Sequence, residues 1–108
     1  MAVKENEKPV LLDLNAPAFQ ANLFDLDKDE RNRVLNTLEK LSKVTWMQVY
    51  VDQGLNWEEI KSRTPPSGIA HWYSLRVTLS RRAVAYRHGQ YMRLLALPTD
   101  HDATYGKK

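Results

Sequence analysis

The chain reads as an α+β domain, an N-terminal strand and helices packed on an antiparallel β-meander, and three observations predict it. Between Trp72 and Leu79, the apolar Tyr73, Leu75, Val77 and Leu79 alternate with Ser74, Arg76, Thr78 and Ser80, the period of two of a half-buried strand. Two more short runs, Arg82 to Arg87 and Tyr91 to Leu97, follow with tight connections, and His88-Gly89 stands where a hairpin turn needs positive φ. Upstream, Val34, Leu35, Leu38 and Leu41 form an apolar stripe at helical spacing. A length of 108 residues has room for one core, so residues 1–108 are expected to form a single domain.

Taken in order, residues 1–8 are polar and expected to fray. Pro9 to Leu14 suits a first strand, with proline at its start where the missing donor does least harm. Asn15 is placed to cap a short helix that has Pro17 in its first turn and Phe19, Leu23, Phe24 and Leu26 on its apolar side. Asp27 and Glu30 form an Asp version of the capping box, opening a helix from about residue 28 to 43. Lys28, Glu30, Arg31, Arg33, Glu39 and Lys40 make its solvated face. Thr45 to Gln48 repeats the capping pattern, so Trp46 to Asp52 reads as a short helix stopped near Gly54. Trp46 and Trp57 are expected as core plugs, with base stacking the alternative for Trp57. Leu55 to Ile60 fits either a helical turn or a strand, and Thr64 to Gly68 is a loop. Pro98 ends the third meander run.

Composition narrows the function classes. With no cysteine there is neither a disulfide frame nor a thiolate metal site. The start has no apolar signal region and no run reaches membrane-spanning length, so a soluble cytoplasmic protein with no membrane partner is expected. Only 4 glycines are present, too few for nucleotide-binding fingerprints. Charge is segregated: residues 1–60 carry a net of −4 and residues 61–108 a net of +7. A basic half suits a polyanion partner, or is simply a solvated face.

The residues left for chemistry are cations with one late histidine and one late tyrosine. Asp100-His101-Asp102 holds ligand-type side chains, but neighbours in an extended segment point apart, so no metal and no other cofactor is expected. His71 and His88 flank turns and have no obvious partner. RNA can be cut without metal when its own 2′-hydroxyl attacks the adjacent phosphorus. That reaction needs a base, cations on the pentavalent transition state and an acid for the 5′-oxygen. Arginine matches two phosphate oxygens with its planar fork, and histidine moves a proton near neutrality.

At these residues the chain resembles a known family. Tyr73-Ser74-Leu75-Arg76-Val77, then Arg82-Ala83-Val84, then a His before a near-terminal Tyr, is similar to the RelE/ParE toxins of bacterial type II toxin–antitoxin modules. The order of elements agrees with theirs. The resemblance implies an endoribonuclease (an mRNA interferase) that cuts messenger RNA on the ribosome and is held by a cognate antitoxin protein. It matches Arg76 and Arg82 to phosphate-binding arginines, His101 to a basic residue of the C-terminal motif, and Tyr105 to the tyrosine that positions RNA. Ser74 departs from the pattern, standing where some relatives have a second lysine. Glu58 or Glu59 would then supply the general base. Lys61, Arg63, Arg81 and Arg87 are candidate RNA-backbone contacts. The alternative within the same fold is a ParE-like inhibitor of DNA gyrase, and a third reading is an inactive binding module. Each site residue also has a plain structural role open to it: a sheet-edge ion pair for Arg76, a turn for Arg82, a packing anchor for Tyr105.

Overall fold

In the computed structural model, residues 4–98 are described; His101 and Tyr105, with Asp100 and Asp102, lie outside them. The elements are β1 (Leu11–Asp13), α1 (Pro17–Phe24), α2 (Lys28–Leu41), α3 (Trp46–Val51), β2 (Glu58–Glu59), β3 (Tyr73–Thr78), β4 (Arg81–His88) and β5 (Tyr91–Ala96), preceded by a 3-10 turn at Glu5–Glu7. The strands form one five-stranded sheet in the order β1-β5-β4-β3-β2. β3, β4 and β5 are the antiparallel meander, β2 adds to its outer edge antiparallel, and β1 runs parallel to β5. Among the described residues no helix is long and apolar enough to cross a membrane.

The helices cover one face of the sheet. Leu75 and Val77 of β3, Ala83 and Ala85 of β4, and Met92 and Leu94 of β5 are buried against Phe19 and Leu23 of α1, Val34, Leu38 and Leu41 of α2, and Trp46 and Val49 of α3. Each Val, Leu, Phe or Met among them, fully buried, contributes on the order of 1.5–3 kcal/mol. The hydroxyl of Thr37 donates to the Val77 carbonyl at 2.6 Å, which fixes α2 on β3. α3 has the full reciprocal cap, Thr45 accepting from Gln48 and Gln48 returning to the Thr45 backbone. Trp46 is fully buried and its indole donates to the Gln90 carbonyl at 2.9 Å. Trp57 is half-buried and stacks on Tyr73, 4.7 Å between ring centroids.

Several expectations need correction. Asn15 does not cap α1: its backbone bonds to the Asp13 carboxylate, and Ala16 takes the cap position with no side-chain bond. Phe24 is 68 % exposed and Leu35 44 %, so each helix buries a narrower stripe than its apolar residues suggest. The capping box of α2 is only half made. Asp27 accepts from the Glu30 backbone, but the Glu30 carboxylate leaves the helix end for the β3–β4 turn. α2 stops at Leu41 rather than 43. Residues 4–8 are not frayed, because Arg87 reaches Asn6 and Glu5 and Trp46 bonds its backbone to Lys8. Residues 58–59 resolve the ambiguity before the loop as a strand.

A bulge reshapes β3. Arg76 pairs with Arg82 but Thr78 pairs with Arg81, so one extra residue stands in β3 at this point. The bulge shifts the alternation, and Thr78, not Leu79, falls on the α2 side. Leu79 is consequently 93 % exposed at the tip of a two-residue turn. Gly89 has φ 62° in the next turn, as a tight hairpin requires.

Candidate functional site

The face of the sheet away from the helices is not a bare polar surface. Ile60, Trp72 and Val84 are buried on it, with Ile69, Tyr86, Leu95 and Ala96 packed around them. At one end of this patch stand Arg76 and Arg82, directly opposite each other across β3 and β4. Like charges in this position destabilise a sheet, so each side chain is steered by oxygens. Arg82 Nη2 donates to the Ser74 hydroxyl at 2.9 Å and approaches the Asn56 carbonyl at 3.5 Å. Arg76 Nη1 donates to the Leu79 carbonyl at 2.9 Å, and its backbone N–H to Leu55 at 2.7 Å. Asn56, at φ 50°, turns the chain into β2 and aims its carbonyl at this point. Among the described residues Arg82 is held by neutral acceptors alone, so its charge stays uncompensated there.

The strand pairing separates the two candidate bases. Glu58 lies opposite Ser74, on the arginine side of the sheet, and is exposed. Glu59 lies opposite Tyr73, on the other face, where its carboxylate meets His71 Nδ1 at 2.7 Å. The last described residues also converge here. The Arg82 N–H donates to the Pro98 carbonyl at 3.1 Å, so the chain leaves the sheet beside the arginine pair.

The four further cations divide. Lys61 and Arg63 are exposed in the segment after β2. Arg81 and Arg87 instead lie on the helix face as internal braces. Arg81 Nε is 3.2 Å from Glu30 and its Nη1 donates to the Leu97 carbonyl at 3.0 Å. Arg87 donates to Asn6, the Tyr50 hydroxyl and the Gly89 carbonyl, and lies 4.3 Å over the Trp46 ring. Glu30 sits at the centre of the first brace. Burial works to raise its pKa, but hydrogen bonds from Thr78, Arg81 and Arg33 prevail and hold it below the ordinary carboxylate value.

A second polar cluster was not legible from sequence. A cleft of about 530 Å³ at the opposite end of the sheet is lined by Tyr50, His71, Tyr73, Tyr86, Arg87 and His88 among others. Here Glu59 orients His71, and burial, with the Glu59 charge and Tyr50 behind it, pushes the Tyr73 phenol up. Its only sequence signal was the pairing of two segments twelve residues apart, hidden because residues 55–60 had no clear period. No family model, curated protein or solved structure matches the chain.

Proposed function

We propose that this protein is a RelE-like toxin, a metal-independent endoribonuclease that cuts messenger RNA on the ribosome, in the cytoplasm, and is restrained by a cognate antitoxin. The observation that carries the reading is the Arg76–Arg82 pair: two guanidiniums set opposite each other across β3 and β4, on one face beside a bulge, with planar forks suited to phosphate oxygens. The resemblance of the surrounding residues to that family supports the substrate.

In this reading the scissile phosphate sits between the two guanidiniums. Glu58 takes the 2′-hydroxyl proton, the 2′-oxygen bonds to phosphorus, and the P–O5′ bond breaks. Arg76 and Arg82 carry the charge gathered on the phosphoryl oxygens. His101 protonates the departing 5′-oxygen, and the products are a 2′,3′-cyclic phosphate and a 5′-hydroxyl. His101 follows Pro98 by three positions, so its Cα can lie at most about 11 Å from that of Pro98, whose carbonyl Arg82 binds. Tyr105 positions the RNA, and Lys61 and Arg63 contact its backbone. Arg81 and Arg87 are left out of the contact set because their forks are engaged internally.

The test is primer extension with end-group analysis on translated message in the presence of EDTA, beside a gyrase supercoiling assay on the same preparation. Cleavage leaving a cyclic phosphate, abolished in Arg82→Ala, is the expected result. Gyrase inhibition without RNA cleavage would move the protein to the ParE-like class, and neither activity, at confirmed folding, to a binding module.

A further inference from the structure

Among the described residues Ser74 is the only buried one of polar or charged type, at 2 % exposure. In β3 it lies two positions before Arg76, with Glu58 of β2 opposite it on one side and Val84 of the apolar patch on the other. A hydroxyl taken out of water costs free energy unless it is hydrogen-bonded, and alanine would occupy the position without that cost. The Ser74 oxygen is committed to Arg82, accepting from Nη2 at 2.9 Å. To make that bond the Arg82 side chain leaves β4 and lies across β3. The same nitrogen comes within 3.5 Å of the Asn56 carbonyl, in the segment that leads into β2.

Two neutral oxygens thus fix where this cation points and leave its charge intact. Among the described residues Nε and Nη1 of Arg82 take no partner, and no ion pair joins Arg82 to Glu58. A planar fork anchored at one nitrogen keeps the others for phosphate oxygens. Glu58 is exposed and shares the face that carries Ser74 and Arg82. An arginine free to turn would be drawn to that carboxylate, and their pairing would remove one cation and one base together. We propose that Ser74 is a positioning residue of the nuclease site. Its buried hydroxyl holds the Arg82 guanidinium over β3, where it meets the scissile phosphate without closing on Glu58. This rests on the nuclease reading and adds to it the residue that orients one of the two cations. Donors fixed in advance stabilise developing charge best because nothing has to rearrange as the charge appears.

The test is a double-mutant cycle on single-turnover cleavage of ribosome-bound message by the full chain, with a melting curve for every variant. Ser74→Ala should slow the saturated rate about 10- to 100-fold, the loss of a hydrogen bond to a charged group. The half-saturating concentration should change less than about 2-fold, because the contact that Ser74 supports is made in the transition state. In an Arg82→Ala background the same substitution should cost nothing further, since no guanidinium is left to hold. Ser74→Thr keeps the hydroxyl and should restore most of the rate; if the packed site does not fold around threonine, the cycle alone decides. Equal costs of Ser74→Ala with and without Arg82 would make its effect independent of the arginine and overturn the inference. A Ser74→Ala protein as active as wild type, or one altered only in its half-saturating concentration, overturns it too. In each of these cases wild-type cleavage leaves the nuclease reading standing. A folded wild type that cuts no message sinks that reading and the inference together.

Discussion

Replacing Glu30 with glutamine removes one negative charge and almost no volume, so its cost reports the brace at the β3–β4 turn directly. Glu30 meets four side chains, but they do not weigh equally. The Arg33 contact is 63 % exposed on the arginine side and contributes little. Arg81 and Glu30 are only 18 % and 12 % exposed, and Arg81 keeps its charge when its partner is lost. A charge-assisted bond of this kind contributes roughly 1.5–3 kcal/mol, and a shielded cation left unpaired costs more than the bond itself. Glutamine retains a neutral acceptor for Thr78, so the expected loss is about 2–3 kcal/mol. Equilibrium urea unfolding, with an unchanged slope, measures it. The pH dependence gives an independent check. The Glu30 pKa is lowered on folding from the ordinary 4.5, so its stabilisation is fully present above that value. It is lost as pH falls through 4.5 and then through the folded-state value. The gap between wild type and Glu30→Gln should therefore be constant near neutrality and close in acid. A loss below about 0.5 kcal/mol, or a gap unchanged in acid, would refute the brace.

Other perturbations test the core and the site. Leu38→Ala should destabilise by roughly 2–5 kcal/mol in the same unfolding assay, because it opens a cavity between α2 and β3; Phe24→Ser should cost under about 0.5 kcal/mol. On the proposed nuclease reading, which the next substitutions share, Arg82→Ala should slow RNA cleavage about 100- to 1000-fold, read by single-turnover kinetics alongside a melting curve that shows the fold intact. Glu58→Gln should lower cleavage by roughly 100-fold or more while Glu59→Gln does not; equal effects would remove Glu58 from the role of base. His101→Gln should lose roughly 100-fold in the same assay, since glutamine hydrogen-bonds without moving a proton.

The meander and the helix from residue 28 were readable because each shows one face to the core over several periods: Tyr73 to Val77 in steps of two, Val34 to Leu41 in helical steps. What escaped was set by contacts between distant segments. Leu79 fits the alternation and still faces water, since a bulge inserted at Val77–Thr78 depends on pairing with β4. Glu30 fits a capping box, but a partly buried arginine 51 residues away competes for its carboxylate and wins. Arg76 and Arg82 stand opposite each other because the hairpin places β3 and β4 in register there. Arg81 and Arg87, one step out of phase with Arg82, point to the helix side, and the segregated positive charge gave no hint of this. Glu58 and Glu59 could not be told apart until β2 was seen to pair with β3.

The parallel pairing of β1 with β5 also governs when this molecule comes into being. Leu11 finds Tyr91, and Asp13 finds Arg93, across eighty residues of intervening chain. Contacts of such separation close large loops and form late in folding. During synthesis β1 emerges first and must wait for the final strand before its backbone has a partner. The sheet cannot assemble fully on a nascent chain, and neither can the arginine pair, which needs β4 and the Pro98 carbonyl beyond β5. The face that carries Arg76 and Arg82 is thus completed only once β5 and Pro98 have been made, long after β1.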